Sequence, residues 1–238
     1  MNGFLYGVAL QWKLDIRSKS LLVTCYIVPL IFFLLMGGIF TSVVPEMGSS
    51  LIQSMIVMSV SMGALIGLPP SLIETYGSGI KKVYKANGVP IWLGLVTMFL
   101  SAFIHLMSTC IVIVLLAPIL FEAAIPKHIP FFFLALAIYI AVSLSIGSVL
   151  GLTAKNQAKL TMTSQLVFLP SIMLSGIMFP VDLLPDVLES LGRIFPAAWG
   201  YRLMLDHGFC FEHLWYLILI FSAAVIVCGI VLKKQKAN

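Results

Sequence analysis

The feature that most constrains this chain is a series of long stretches without Asp, Glu, Lys or Arg. There are six of them, at residues 20–45, 47–73, 86–121, 128–154, 160–181 and 213–232. Each is long enough for one helix of about 20 apolar residues, the length that crosses a bilayer. Backbone groups in lipid must pair within their own segment, so helices are expected. The sequence therefore predicts an all-α integral membrane protein with six transmembrane helices.

The composition excludes the soluble classes of protein. Only 10% of the 238 residues are charged and 61% are hydrophobic, whereas about 25% of residues are charged in a soluble domain. The net charge of +5 is spread in small groups between the apolar stretches. Nucleic-acid binding needs a clustered basic surface, so we expect no nucleic-acid partner and one transmembrane domain over residues 1–238.

The basic residues predict the orientation of the spans. With a cytoplasmic N-terminus, 11 of the 14 basic residues fall on the inner side, namely Lys13, Arg17, Lys19, Lys81, Lys82, Lys85, Lys155, Lys159, Lys233, Lys234 and Lys236. The outer side then holds Lys127, Arg193 and Arg202. Cytoplasmic loops carry an excess of Lys and Arg. We therefore expect a multi-pass protein of the plasma membrane with both termini in the cytoplasm.

The segment before the first span, residues 1–19, has a helical pattern of its own. Its apolar and polar residues fall on different faces, with Leu5, Val8, Trp12 and Ile16 on one and Gln11, Asp15 and Ser18 on another. The pattern predicts an amphipathic helix in the membrane interface, with its basic residues near anionic lipid headgroups. The alternative is a basic flank that only fixes the topology.

The loop between spans two and three, residues 74–90, has an ordered set of chemical groups. An acid, two glycines and a pair of lysines come first, and Gly88 and Pro90 precede the third span. These boundaries are typical of a short cytoplasmic helix followed by a new helix start. The lysines alone also suffice to hold the loop inside, which is the simpler interpretation.

The segment after span five, residues 182–212, is amphipathic but too short and too charged to cross the membrane. An apolar stripe is formed by Leu184, Leu188, Leu191 and Phe195, with Asp186, Glu189 and Arg193 beside it. Pro180 and Pro185 interrupt the preceding helix because proline lacks a backbone donor and restricts the residue before it. The pattern predicts a half-helix in the outer leaflet, with its apolar stripe against the other helices.

These features resemble the ABC-2 family of ATP-binding-cassette transporter permeases over essentially the whole chain. The resemblance rests on six spans, the Glu-Gly-Lys order of residues 74–90, and the pattern Ser-Gly-x-x-Phe-Pro-x-x-x-x-Pro at residues 175–185. It implies an interfacial N-terminal helix, re-entrant helices between spans five and six, and a dimer carrying two cytoplasmic ATPase subunits. It also implies that the 74–90 loop transmits ATPase motion through Glu74, Gly77, Gly79, Lys81 and Lys82.

The chain has no Gly-x-x-x-x-Gly-Lys-Ser/Thr motif with which to bind nucleotide. We therefore expect it to be a transport subunit and not an enzyme, with no cofactor of its own. ATP and Mg²⁺ would belong to a separate ABC ATPase subunit. A second permease subunit, identical or related, would complete the path.

The expected function is outward movement of a hydrophobic or amphipathic cargo, such as an antimicrobial peptide, a drug or a lipid-linked molecule. Phe179, Pro180, Pro185 and Leu188 are the candidates for an extracellular gate. Four methionines are candidates for the cargo path because the flexible thioether adapts to irregular apolar surfaces. They are Met58, Met62, Met173 and Met178.

Two other functions compete with this one. An ion-gradient-driven transporter usually has charged groups at mid-membrane, and the six stretches contain none. An intramembrane serine hydrolase needs a serine activated by a base, for which Ser148, Ser175 and His105 are the candidates. His105 is expected to be neutral and bonded to a neighbouring helix. The polar residues at 206–213 match no standard zinc spacing, so we expect no metal.

Overall fold

The computed structural model describes residues 3–17, 19–43, 45–77, 84, 86–178, 184–205 and 211–237. These residues form helices and no strands, which confirms the predicted all-α class. The α-helices are α1 (Gly3–Arg17), α2 (Lys19–Leu22), α3 (Val28–Val43), α4 (Leu51–Met62), α5 (Leu68–Gly77), α6 (Ile91–Phe121), α7 (Ile129–Thr153), α8 (Gln157–Met173), α9 (Asp186–Gly192), α10 (Pro196–Leu205) and α11 (Phe211–Ala237).

Five helical segments in the described part are long and apolar enough to cross a membrane. They are Val23–Val43, Gly48–Gly77, Ile91–Phe121, Ile129–Thr153 and Phe211–Lys234, close to five of the charge-free stretches. The stretch at residues 160–181 instead contains α8, which has 17 residues and a length of about 26 Å. The chain turns after Met173, and Gly176 has a φ of 86°. Six spans and the direction of the termini therefore stay predictions.

The first and second spans each contain a π-helical turn, and the two turns face each other. Val23–Ile27 leads into α3, and Gly63–Gly67 joins α4 to α5. A methyl group placed on Gly67 would lie 3.3 Å from Sγ of Cys25. A π turn contains one residue more than an α turn, so each span changes the face that it presents at this level.

The second span lies at the centre of the helix bundle. In its apolar stretch of 18 residues, 83% of the residues are buried. Helix α7 packs against it through glycines, because a side chain on Gly147 would overlap the carbonyl oxygen of Ala64 and one on Gly151 would lie 2.9 Å from that of Pro69. Small residues that let two backbones touch are typical of membrane helix packing.

The structure adds a protein contact to the predicted N-terminal helix. Asp15 on α1 is only 8% exposed and contacts α6, whereas Trp12 and Ile16 of the predicted apolar face are exposed. An interfacial position of α1 stays a prediction. The exposed side chains of α1 include Tyr6, Leu10 and Leu14. The hydroxyl group of Ser101 on α6 donates a hydrogen bond to the Asp15 carboxyl. Ser18 and the side chain of Leu5 lie outside the described residues.

In the segment after α8 the predicted apolar stripe is only partly enclosed by the described residues. Leu188 and Leu191 on α9 are 38% and 44% exposed, whereas Leu184 and Phe195 are half-buried; a re-entrant position of this segment stays a prediction. Helix α9 contacts the turn after α8 through Gly192, where a side chain would overlap the carbonyl oxygen of Leu174. The next helix, α10, is the buried one, with Ala197 and Leu203 fully enclosed.

Candidate functional site

One end of the bundle brings together the end of α5 and the start of α6. The hydroxyl group of Tyr76 donates a hydrogen bond of 2.7 Å to the carbonyl oxygen of Ile91. A methyl group on Gly94 would lie 2.9 Å from the ring of Tyr84 and 3.2 Å from the Tyr76 hydroxyl. The chain therefore folds back tightly between these two helices, which are in direct contact.

The predicted coupling residues lie at this end as far as they are described. Glu74 is exposed in the last turn of α5, and Gly77 is exposed where α5 ends. Gly79, Lys81 and Lys82 lie outside the described residues. Gly88 adopts a φ of 66°, and α6 starts at Ile91, directly after Pro90. The Glu74 side chain is thus exposed at the end of α5, two residues before the Tyr76 contact with α6.

Helices α7, α8 and α11 reach the same end. Gly151 near the end of α7 packs on Leu72 of α5, and α8 starts a few residues later with Asn156 accepting from the backbone N–H of Lys159. Four lysines at this end are exposed, namely Lys155, Lys159, Lys233 and Lys234. This end therefore carries a basic surface; we refer to these four lysines as the basic end.

A buried polar cluster joins α1 to α6 within the bundle half nearer the basic end. The Asp15 carboxyl accepts hydrogen bonds from Gln11 at 2.8 Å and from Ser101 at 2.5 Å. Gly7, two turns earlier, lies against Thr97, where a methyl group on Gly7 would be 3.5 Å from the threonine methyl. A carboxyl group in such surroundings needs these donors because an unpaired one is costly in an apolar medium. Helix α1 is therefore attached to α6 by specific bonds.

His105 extends this cluster toward span one. Its Nδ1 lies 2.7 Å from the hydroxyl oxygen of Tyr26, and its ring is nearly parallel to that of Trp12 at 6.1 Å between centroids. Thr109, one turn further on, donates to the carbonyl oxygen of Cys25 at 2.8 Å. His105 therefore contacts a neighbouring helix, as the sequence predicted, and connects α1, α6 and the first π turn.

The opposite end of the bundle has an ion-pair network. Glu189 on α9 bonds to Arg193 at 2.8 Å and to Arg202 on α10 at 3.3 Å. The hydrogen bond from Arg193, followed by the contact with Arg202, lowers the pKa of the Glu189 carboxyl. Pro185 precedes α9 and accepts from the backbone N–H of Leu188 at 2.8 Å. The network ties α9 to α10, so the two short helices form one unit.

Helix α10 connects this end to the centre of the bundle. The indole of Trp199 donates to the carbonyl oxygen of Arg193 at 2.6 Å and stacks on Tyr216 of α11 at 4.1 Å between ring centroids. A side chain on Gly200 would overlap the ring of Tyr139, and the Tyr139 hydroxyl lies 2.6 Å from that of Ser61 in span two. A movement of α10 therefore reaches the central span through two contacts.

The predicted gate and path residues do not form one described surface. Phe179 and Pro180 lie outside the described residues, and Leu188 is exposed on α9. Met58 is buried at 6% exposure and Met62 is half-buried, whereas Met173 is 52% exposed. Met178 is half-buried in the turn after α8. The four methionines therefore differ in burial, and their part in a cargo path stays a prediction.

Several buried polar atoms in the described part of the bundle lack a hydrogen-bond partner. They include Gln53 Oε1 and Ser54 Oγ on α4, Ser143 Oγ on α7, and Ser164 Oγ and Ser171 Oγ on α8. An unpaired buried polar atom costs about 1–3 kcal/mol. These five atoms lie on α4, which is part of span two, and on α7 and α8.

The comparison with known families decides the identity of this architecture. The family model for the ABC-2 type transporter matches residues 4–209. The chain belongs to the ABC-2 type transporter family. A comparison with curated proteins gave no match. Membership makes the chain a permease subunit of the membrane, a class that works generally with an ABC ATPase subunit.

The hydrogen bonds of this ABC-2 permease do not support the hydrolase alternative. Ser148 donates to the carbonyl oxygen of Leu144 at 2.8 Å, and Ser175 donates to that of Ile172 at 2.9 Å. Both bonds stay within the local helical turn, while His105 faces Tyr26. Neither serine therefore has the base that nucleophilic attack requires. Of the polar residues at 206–213, residues 206–210 lie outside the described part.

The sequence reasoning missed three features of the ABC-2 permease. The attachment of Asp15 to Ser101 was missed because helical spacing separates two faces without saying which one meets protein. The burial of α10 was missed because Trp199 and Tyr201 also suit a membrane interface. The third feature is the contact of Gly147 with span two. Its signal in the sequence was the pair of glycines four residues apart in Gly147-Ser-Val-Leu-Gly151.

Proposed function

We propose that this ABC-2 permease is the membrane subunit of an ABC exporter. It would pair with a second permease copy or a related chain, with one ATPase bound beneath each subunit. The orientation that we propose has six spans, with α8 and the residues after it completing the fifth, and both termini in the cytoplasm. The family membership and the exposed basic end are the observations that support this function.

The basic end is the surface that we assign to the ATPase subunit. Glu74 is exposed there among lysines, so the surface offers groups of both signs to a partner. The Tyr76–Ile91 hydrogen bond connects the acid to α6, and Asp15 and Ser101 connect α6 to α1. Closure of an ATPase dimer would therefore move α1, α5 and α6 together.

The second permease subunit is proposed to contact α8. This helix exposes an apolar stripe with helical spacing, formed by Met162, Leu166, Leu169 and Met173. On the other side of the helix, Ser164 and Ser171 are buried without partners. A helix with an open apolar face and unpaired hydroxyls behind it is suited to rotate between two arrangements.

The proposed cargo is hydrophobic or amphipathic and moves outward. The described spans contain no charged side chain between their ends, so a fixed charge does not select the cargo. Helices α9 and α10 would form a re-entrant unit at the outer end, held together by the Glu189 ion pairs. Movement of α10 against Tyr139 would link the opening of this end to span two.

The coupling role is tested by Glu74→Ala in cells that carry the permease and its ATPase. The measurement is ATP-dependent efflux of a fluorescent amphipathic peptide at matched amounts of permease in the membrane. We expect efflux to fall at least tenfold, because the exposed carboxylate is the described group that meets the partner. The matched control is Glu212→Ala, an exposed acid at the opposite end, which should retain efflux. Equal losses in both variants would contradict the assignment.

The orientation is tested with single cysteines at opposite ends of the bundle. Lys159→Cys and Asp186→Cys are both exposed positions. In intact cells a membrane-impermeant thiol reagent should label the cysteine at 186 and not the one at 159, until the membrane is opened. Labelling of both in intact cells, or of the one at 159 alone, would reverse or end the proposed topology.

A further inference from the structure

A groove separates α11 from α6 on the outside of the bundle, with α7 as its floor. It has a volume of about 450 Å³. The side chains that line it are almost entirely apolar and include Leu95, Phe99, Phe221, Val225 and Leu232. The two serines in its floor, Ser145 and Ser148, each donate to a carbonyl oxygen of α7 at 2.8 Å. The groove therefore presents a hydrocarbon-like wall.

A second, more polar cavity adjoins the groove at the basic end. Gly229 and Leu232 line both cavities. The second cavity adds Trp92, whose side chain is exposed, and Lys233. Trp and Lys at such a boundary are typical of the level of the lipid headgroups. One molecule lying in the groove would meet an apolar wall along its length and a cation at one end.

The length of the apolar part matches one leaflet of a bilayer. Phe221 and Leu232, at its two ends on α11, are eleven residues apart, which corresponds to about 16 Å along the helix. Half of a hydrocarbon core of about 30 Å is about 15 Å. An acyl chain that starts at the headgroup level by Lys233 would end near Phe221.

Gly229 keeps the groove open. A methyl group at this position would have no atom within 4 Å, so the missing side chain is not needed for packing against a neighbouring helix. This distinguishes it from Gly147 and Gly200, whose side chains would overlap other residues. The space at Gly229 is accessible to a molecule from the membrane.

We infer that this groove is a binding site for an anionic glycerophospholipid. One acyl chain lies between α6 and α11, and the phosphate pairs with Lys233 next to Trp92. The lipid comes from the leaflet at the basic end, which is the inner leaflet in the proposed orientation. The apolar length, the cation at its end and the open space at Gly229 agree on this one ligand. A helix of another protein would also cover the groove, but it would not explain why the apolar part is about as long as one leaflet.

The test measures lipids retained by the purified permease with native mass spectrometry. The protein is exchanged into mixed micelles that contain equal amounts of phosphatidylglycerol and phosphatidylcholine. The wild type should retain phosphatidylglycerol about fivefold over phosphatidylcholine, the preference expected from one lysine near the membrane surface. Lys233→Gln should remove this preference, whereas Lys234→Gln, which does not line the groove, should keep it.

A second pair of variants tests the apolar part. Gly229→Phe fills the groove and should remove retention of both lipids, whereas Gly38→Phe, at another glycine with no atom within 4 Å, should not. If Gly229→Phe does not give a monodisperse protein, Val225→Phe serves the same purpose. Equal retention of both lipids by the wild type, or equal effects of the two lysine variants, would overturn the proposal. If another protein co-purifies with the wild type and is lost in Gly229→Phe, the groove binds a helix of that protein and the lipid proposal is overturned. The readout is independent of transport, so it leaves the proposed export function untouched.

Discussion

In soluble proteins the buried segments are the more hydrophobic ones. The second span and the last span of this protein show the reverse. In the 18-residue apolar stretch of the second span, Gly48–Gly77, 83% of the residues are buried and the mean hydropathy is 1.9. In the last span, Phe211–Lys234, only 17% is buried and the mean hydropathy is 2.6. The helix inside the protein is thus the less hydrophobic of the two. Lipid is as apolar as leucine, so polar and small residues gain by meeting other helices.

The N-terminal helix follows the same rule at the edge of the bundle. Asp15 contacts Ser101 of α6 and accepts a bond from Gln11, whereas the apolar side chains of Leu10 and Leu14 are exposed. The comparison teaches that, of the two spans, the buried helix is the more polar one and the exposed helix is the more hydrophobic one. The following substitutions test that difference, in order of decreasing expected effect.

The largest effect is expected from Gly147→Ala, which crowds the contact of α7 with the second span. The new methyl group would overlap the carbonyl oxygen of Ala64, a backbone atom that cannot rotate away. Overpacking of this kind costs about 1–3 kcal/mol or more. Thermal unfolding in detergent should show the loss. Gly38→Ala, where no atom lies within 4 Å, should unfold like the wild type. Similar unfolding of both variants would break the comparison.

Asp15→Leu should be the next in size because it removes both acceptor oxygens that hold α1 on α6. Leaving the Ser101 hydroxyl donor unpaired inside the bundle costs about 1–3 kcal/mol. A double variant with Gly7→Cys and Thr97→Cys reports the contact through a short bifunctional thiol reagent, since a methyl group at position 7 would lie 3.5 Å from the Thr97 methyl. The cross-linking yield should fall sharply when Asp15→Leu is added.

The control for that experiment is Lys13→Leu, an exposed position on the same helix, which should leave the cross-linking yield unchanged. Should Asp15→Leu raise the yield instead, apolar contact would be holding α1 in place. The gain of polar residues from contact with protein would then not extend to the edge of the bundle.

A smaller effect is expected from Tyr139→Phe, which removes one hydroxyl group beside the second span. Its bond to Ser61 is buried, and such a bond contributes about 1 kcal/mol. Ser61→Ala should cost a similar amount, and the double variant should cost less than the sum of the two. Strict additivity in thermal unfolding would show that the two hydroxyl groups act separately. Tyr6→Phe, at an exposed tyrosine of α1, is the control.

The smallest effect is expected from Ile226→Ala in the last span. Ile226 is exposed on α11, and substitutions at such surface positions usually change stability by about 0.5 kcal/mol or less. The same thermal assay measures it. A decrease as large as that of Gly147→Ala would mean that α11 is covered by another chain, and the distinction between inner and outer spans would be lost.

The sequence predicted those parts of the fold that depend on local chemistry. The charge-free stretches lie close to the five long helices, and Gly88 and Pro90 precede the start of α6 as their backbone preferences require. The contact of His105 with another helix was also predicted, because an ionisable residue in a span needs a partner. These conclusions rest on properties of single residues and their immediate neighbours.

The parts that the sequence did not predict depend on contacts between distant segments. Whether Asp15 faces water or protein is decided by Ser101, 86 residues away. The exposure of Leu188 follows from the position of Gly192 against the turn after α8. The shortness of α8 was hidden because the charge-free stretch continues beyond Met173, whereas the helix does not. Periodicity contains no information about which neighbour a face will meet.

The paired π turns of spans one and two have a consequence for insertions and deletions in this chain. An extra residue in a helix rotates everything after it by about 100°, and a π turn absorbs that rotation locally. Removing one residue from Val23–Ile27 would therefore restore a regular helix but turn Phe33 and Phe40, which are buried, away from the bundle. Each π turn therefore absorbs one extra residue, so that the helix after the turn keeps the face that it presents to the bundle. A length variant in one span is expected to require a compensating change in that same span and not in its partner.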